Sequence, residues 1–216
     1  MITLYGYWRS TAAYRVRIAL NFKQIAYLQT SIDLVKDGGQ QYTKEYLTLN
    51  PQALVPTLVD GNFTLSQSMA ILEYLEDKYS QVKLLPKNIE LKARVRQLSQ
   101  VISADIHPLN NLRVLKYMTN SLSISEDEKM AWYHHWLEKG FDAFEELLKD
   151  HEFTGNYAIN GELSMADVCL IPQMYNARRF EFSLDNYPRL VEIEQFCLSL
   201  NFVKDAVPEN QPDAKV

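Results

Sequence analysis

Cysteine is scarce in this chain: two occur in 216 residues, Cys169 and Cys197, each inside an apolar helical pattern. A disulfide-rich framework is thereby excluded. Two buried free thiols in a reducing compartment are expected, with a single Cys169–Cys197 bridge as the open alternative. Long apolar runs are missing too. No stretch approaches the ~18 residues a membrane helix requires. Residues 1–8, MITLYGYW, carry neither the basic start nor the apolar run of a secretory signal. Positive charge is not in excess either: 22 Lys and Arg against 27 Asp and Glu leave a formal charge of −5. Nucleic acid is therefore not an expected partner, because phosphate contacts need clustered Lys and Arg. A soluble cytoplasmic protein without membrane or nucleic-acid partners is the expectation.

What the chain does have is length and apolar content, 47% hydrophobic over 216 residues. That suffices for one large domain or two ordinary ones with cores that need no disulfide or metal. The first 80 residues mix strand and helix signals. Ile2–Tyr5 reads as a buried strand and residues 10–22 as a helix with Val16, Ala19 and Leu20 on one stripe. Residues 26–32 read as a second strand, followed by a polar loop over 36–40 and a short helix ending near Asn50-Pro51. LVPTLVDGNFTL, residues 54–65, predicts a hairpin around Asp60-Gly61-Asn62. A helix from Ser68 then carries Ile71, Leu72, Leu75 and Tyr79 on one face. The order is β-α-β-α-β-β-α.

Beyond a linker at 80–88 the period is helical throughout. Leu91, Val95, Leu98 and Ile102 form one stripe, and Tyr133, Leu137, Phe141, Phe144 and Leu148 another. Pro108 is expected to bend or end its helix. In GELSMADVCL, Ser164 and Asp167 have the spacing of a capping box, with Leu163 and Val168 as its hydrophobic staple. Residues 208–216 form a polar tail. The domains expected are 1–80, α+β, and 88–216, all helical.

Chemistry is suggested where YWRSTAAYRVRIAL, residues 7–20, opens a helix with Arg9, Ser10 and Thr11. Ser10 and Thr11 can be ordinary caps, with Arg9 and Arg15 as solvated charges. A helix start of this kind also attracts anions and acidifies a nearby thiol, yet the stretch brings no thiol of its own. A small-molecule thiol docked there would be activated by the same dipole and by a hydroxyl donor. Val55-Pro56 sits at the mouth of a strand, where the proline, in either its cis or its trans form, would fix a turn and leave the valine backbone free to pair with an extended peptide. Gln67-Ser68 opens the next helix, where Ser68 and the helix amides can hold a carboxylate. Together these features describe a cleft for a short, acidic, thiol-bearing peptide.

The chain resembles the cytosolic glutathione transferases, and within them the zeta class. The resemblance is carried by RSTAAYRVRIAL (9–20), NPQALVPTL (50–58), QSMAILEYLE (67–76), DIHPLNNLRVLKY (105–117), MADVCLIPQ (165–173) and NARRF (176–180). It implies an α+β thioredoxin-like N-terminal domain followed by an all-α C-terminal helical domain. Glutathione would be the cofactor, a small dicarboxylate the substrate, and a homodimer the assembly. By the same resemblance glutathione contacts Ser10, Thr11, Gln41, Val55, Gln67 and Ser68, with His107, Asn111 and Arg113 added from the helical domain. Ser10 would stabilise the glutathione thiolate, Arg179 would bind a substrate carboxylate, and Arg9 the second acidic end. The activity implied is cis–trans isomerisation of maleylacetoacetate to fumarylacetoacetate in tyrosine and phenylalanine catabolism, by reversible thiolate addition to the double bond. Alternatives are maleylpyruvate isomerisation, conjugation or dehalogenation of small α-halo acids, and a non-catalytic binding module. The family's SSC motif reads Ser10-Thr11-Ala12 here, so no protein cysteine stands at that place.

Other candidates carry ordinary structural readings. His134-His135 are adjacent on a helix and point about 100° apart, so they do not pinch a metal, and no metal site is expected. His151 reads as a surface or helix-end residue. Ser125–Glu128 reads as helix-start charge, Asp167 as a cap, and Trp132 and Trp136 as core or interface.

Overall fold

The computed structural model describes residues 1–150, 155–159 and 161–215, so His151 lies outside the described residues. The chain divides into two compact units: Met1–Leu84 together with Leu198–Val216, and Leu85–Cys197.

In the first unit, strand β1 (Ile2–Gly6) runs parallel to β2 (Tyr27–Ser31) and antiparallel to β3 (Thr57–Asp60), which pairs with β4 (Phe63–Ser66). The sheet order is β2-β1-β3-β4. Parallel neighbours need a crossover, and helix α1 (Thr11–Phe22) supplies it between β1 and β2. Helix α2 (Lys44–Leu49) precedes β3, and α3 (Ser68–Lys78) follows the hairpin. Ile2, Leu4 and Leu58 face the core from the strands, and Ile71, Leu72 and Leu75 face it from α3. The element order is the one the periodicities predict.

Helix α1 departs from the sequence reading. In place of an apolar stripe, every residue from Thr11 to Leu20 is buried, Arg15 and Arg17 among them at 1% and 0% exposure. Arg15 is therefore no solvated charge. The cause is that α1 is covered by α3 and also by helix α9 (Asn201–Lys204). Phe22 meets Phe202 with ring centroids 5.3 Å apart, and Asn21 Nδ2 donates to the Phe202 carbonyl at 3.1 Å. Segment 198–216, which the sequence reading groups with the helical domain, thus packs within the first unit.

Lys23 closes the C-terminal end of α1. Its Nζ donates to Glu76 Oε2 at 2.8 Å and to the Tyr79 and Val82 carbonyls, while Glu76 Oε2 also accepts from the Leu84 amide at 2.9 Å. Both side chains are buried. A buried pair of this kind repays desolvation only because its remaining donors and acceptors are also satisfied.

The second unit is helical. Helix α4 (Ile89–Gln100) starts on Asn88, whose Oδ1 accepts from the Leu91 amide at 2.9 Å. Val95, Leu98 and Ile102 are fully buried, as the stripe predicts. The helix ends just before Pro108, as expected, and does so through a local change of pitch. It widens into a π-helix over Val101–Ile106, and the His107 amide reaches back five residues to the Ile102 carbonyl at 2.9 Å. Gly140, on helix α6 (Glu126–Leu147), makes room for this bulge: a Cβ there would lie 2.2 Å from Ile106 Cδ1. Between them runs α5 (Leu112–Ser121).

Both acidic helix starts are capping boxes. Ser125 and Glu128 open α6, and Ser164 and Asp167 open α7 (Met165–Arg179). The Asp167 carboxylate accepts from the Ser164 amide at 2.8 Å, the Ser164 hydroxyl at 2.7 Å and the Ala158 amide at 2.7 Å. Burial pushes this carboxyl up to about 6 against the pull of those donors. Helix α8 (Pro188–Ser199) follows. No helix among the described residues is long and apolar enough to cross a membrane.

Lys23→Met or Glu76→Leu alone should cost about 3–5 kcal/mol of stability, because each strands the opposite charge in the core. The double replacement should cost less than either one. Urea midpoints of the three variants read this directly, and simple additivity would contradict the coupling.

Candidate active site

The turn Tyr7–Ser10 joins β1 to α1 and is closed by the Ser10 amide donating to the Tyr7 carbonyl at 2.9 Å. Ser10 is the N-cap of α1, its Oγ accepting from the Ala13 amide at 3.2 Å. A capping hydroxyl spends a lone pair in this bond and keeps its proton, so it can still donate to an anion. Thr11 is the first helical residue and is buried. Arg9 lays its guanidinium over the Trp8 ring, 4.2 Å from the centroid, which orients the cation without neutralising it.

Gln41 is buried, and among the described residues its Oε1 has no hydrogen-bond partner. Gly39 lies beside it at φ +115°, and a Cβ there would come within 2.5 Å of the Gln41 amide nitrogen. The glycine is thus needed for its backbone angle, and a side chain there would displace the Gln41 amide from its present position. A buried, unpaired acceptor is costly unless a ligand donor meets it.

Val55 precedes a cis Val55–Pro56 bond and lies outside the β3 ladder, which begins at Thr57. The approach to it is pinned: the Leu54 carbonyl accepts from the Tyr46 hydroxyl at 2.6 Å and from Asn50 Nδ2 at 2.7 Å. Gln67 stands at the start of α3 with φ 72°, a left-handed angle that costs a non-glycine residue about 1 kcal/mol or more and recurs at ligand sites. Its side-chain amide donates to Gln52 Oε1 at 2.8 Å. Ser68, the first residue of α3, accepts from the buried Arg15 Nη1 at 3.3 Å. Arg15 therefore links the starts of α1 and α3, a role the sequence reading missed. Its position in a helix with no other charge than Arg17 was the only available signal.

In the helical unit, His107 follows the π-helix directly. Asn111 caps α5, its Oδ1 accepting from the Arg113 amide at 3.1 Å, which leaves its side-chain NH2 to donate elsewhere. Arg113 is exposed in the first turn of α5. The two arginines of NARRF divide their labour. Arg178 Nε donates to both oxygens of buried Glu194, at 3.1 and 3.0 Å. Arg179 makes no ion pair among the described residues, and its guanidinium lies 4.9 Å from the Phe180 ring centre. Arg179 is exposed, and unlike Arg178 its guanidinium is not engaged by Glu194.

No protein thiol suits nucleophilic work. Cys169 and Cys197 are both free and buried, and burial, with Asp167 nearby, pushes the Cys197 thiol well above its ordinary range. Ala12, one residue into α1 from Thr11, carries no functional group. His134 Nε2 bonds the Phe180 carbonyl at 2.8 Å and His135 stacks edge-on against Trp136, so both are occupied structurally. Trp132 donates to the Leu109 carbonyl at 3.0 Å and meets Trp136 at 5.6 Å. Among the described residues no group of three His, Cys, Asp or Glu side chains could hold a metal ion.

This sheet and the α1 start have known counterparts. Residues 1–77 match the glutathione S-transferase N-terminal domain. A probable maleylacetoacetate isomerase from Vibrio cholerae is 47% identical over 99% of this chain and 98% of its own. The holo structure of maleylpyruvate isomerase, a bacterial zeta-class glutathione S-transferase, superposes with a TM-score of 0.95 at 38% identity, covering 99% of this chain and 100% of that one. A maleylacetoacetate isomerase from Methylobacterium extorquens AM1, solved with malonate and glutathione bound, gives a TM-score of 0.94 at 37% identity over 99% and 100% of the two chains. At such identity over its whole length, the chain belongs to the zeta-class glutathione S-transferases.

Proposed function

We propose that this chain is a glutathione-dependent cis–trans isomerase that converts maleylacetoacetate to fumarylacetoacetate, in tyrosine and phenylalanine catabolism. The observation that carries the reading is Ser10: a hydroxyl at the positive end of α1, already fixed as an acceptor by the Ala13 amide, in a chain whose two cysteines are both buried. Such a site is organised around an anionic sulfur and lacks one of its own. When bound, glutathione supplies a thiolate that adds reversibly to the double bond, leaving it single long enough to rotate.

The protein's residues bind, orient and stabilise charge. Ser10 donates its proton in a hydrogen bond to the sulfur, and the α1 dipole favours the same negative charge. Gln41 Oε1, unpaired among the described residues, accepts from a ligand N–H. Val55 offers its backbone to the peptide in the manner of an added strand. Gln67 and Ser68 receive a carboxylate at the start of α3. Thr11, His107, Asn111 and Arg113 complete the glutathione contacts. Arg9 and Arg179 hold the two acidic ends of the substrate and the charge that develops between them. Support for a dicarboxylate comes from the relative solved with malonate and glutathione bound. Domains 1–80 and 88–216 in this reading are the glutathione-binding and substrate-binding halves, with residues 198–216 packed into the first. The assembly is a homodimer, and two free buried thiols suit a reducing cytoplasm.

Maleylpyruvate is the second reading, since a maleylpyruvate isomerase and a maleylacetoacetate isomerase superpose on this chain almost equally, with TM-scores of 0.95 and 0.94. The two substrates share the cis diacid that Arg9 and Arg179 would bind.

Ser10→Ala should raise the pKa of the bound glutathione thiol by about 1–2 units, the worth of one hydrogen bond to a charged group. Ultraviolet titration of the thiolate measures this, and an unmoved titration removes Ser10 from the mechanism. Arg179→Ala should weaken dicarboxylate binding by about 10–100-fold while glutathione affinity holds. Calorimetry with malonate and with glutathione separates the two; equal losses would contradict the role of Arg179.

A further inference from the structure

We propose that Asp213, in the C-terminal tail, is a positioning residue for the isomerisation and acts through Ser10. Three donors converge on its carboxylate. Oδ2 accepts from the Trp8 backbone amide at 3.1 Å and from the Ser31 hydroxyl at 2.7 Å, and Oδ1 accepts from Gln29 Nε2 at 3.3 Å. Trp8 lies inside the turn that delivers Ser10 to the start of α1. Gln29 and Ser31 belong to β2, the edge strand beside β1. Asp213 thus ties the end of the sheet to the turn two residues before the proposed sulfur donor.

The Trp8 peptide is held at its other end as well. Its carbonyl accepts from buried Arg17 Nη2 at 3.0 Å, and Arg17 Nε donates to the Ala206 carbonyl at 3.0 Å. Both peptide groups that flank Trp8 are therefore held, one by Asp213 directly and the other by Arg17, whose guanidinium is itself tied to the Ala206 carbonyl. The tail is itself locally fixed. Gln211 Nε2 donates to the Asp205 and Val207 carbonyls at 3.0 and 2.8 Å, the Ala214 amide donates to the Gln211 carbonyl at 2.9 Å, and Lys215 pairs with Asp33. A carboxylate held this way acts as a rigid stop for the Trp8 amide. Proton donation to sulfur tolerates displacements of only about 0.5 Å before it weakens. Releasing Trp8 lets the Ser10 cap and its hydroxyl drift together.

The inference rests on the proposed role of Ser10, and the experiment separates the two. Asp213→Ala, Asp213→Asn, Ser10→Ala and the Ser10→Ala/Asp213→Ala pair are compared by thiolate titration with glutathione, and by kcat and KM with maleylacetone. Urea midpoints confirm that each variant is folded. Asp213→Ala should raise the bound thiol pKa by about one unit and lower kcat about tenfold. In the Ser10→Ala background the same change should cost less than about twofold, because the route through Ser10 is already lost. Asp213→Asn keeps an oxygen for the Trp8 amide and should recover most of the rate. If Asp213→Ala slows both backgrounds equally, or leaves the titration unmoved while Ser10→Ala shifts it, the positioning role is overturned and the reading of Ser10 stands. A fall in thiol pKa with Asp213→Asn would show that charge, not position, is what the carboxylate contributes. If Ser10→Ala itself leaves the titration unmoved, both fall.

Discussion

A helix buried on every side must settle its polar groups inside the protein, and α1 does so with two guanidinium ions. Taking such ions out of water costs several kcal/mol unless their donors are met. Part of that cost is offset by the bonds from Arg17 Nη2 and Nε to the Trp8 and Ala206 carbonyls and from Arg15 Nη1 to Ser68. These bonds fix the neighbours of the site in relation to α1: the turn before it, the start of α3, and the returning tail. The burial that looks expensive is what makes the start of α1 a defined place.

That definition matters because the proposed chemistry needs its sulfur donor, Ser10, in one position. Ser10 Oγ is held by its capping bond from the Ala13 amide, and in the proposed role its hydroxyl is the sulfur's donor. Gln41 waits as a buried acceptor in space that Gly39 leaves open. The chain's own thiols are sealed in helices α7 and α8, where burial holds the Cys197 sulfur protonated. The proposed mechanism takes its thiol from glutathione, so it asks for no cysteine at Ala12.

Much of this was readable in the sequence, and what was readable was local. The alternation of strands, the Asp60–Asn62 hairpin, the stripes through Val95 and Phe141 and the Ser164–Asp167 box all depend on residues within a few turns of each other. Ser10 as a cap and the turn at Val55-Pro56 were accessible for the same reason. Long-range closure was not. Nothing in RVRIAL announces that Arg15 and Arg17 are buried, because their cover comes from α3 and from the segment around Ala206. The polar composition of the tail concealed that Asp213 is an internal hydrogen-bond acceptor. The π-helix before His107 depends on Gly140 of another helix. Arg178 and Arg179 are the same letter side by side, and only the Glu194 pair separates them. His107, Asn111 and Arg113 came from family resemblance alone.

The central claim is that glutathione is used and returned. The direct measurement is turnover of maleylacetone, and of maleylpyruvate, with glutathione well below the substrate concentration. The account predicts complete conversion to the trans acid, a rate that vanishes without glutathione, and all of the free thiol recovered at the end. Conversion that halts after one equivalent of thiol is consumed, or that runs at full rate with no glutathione present, would contradict it.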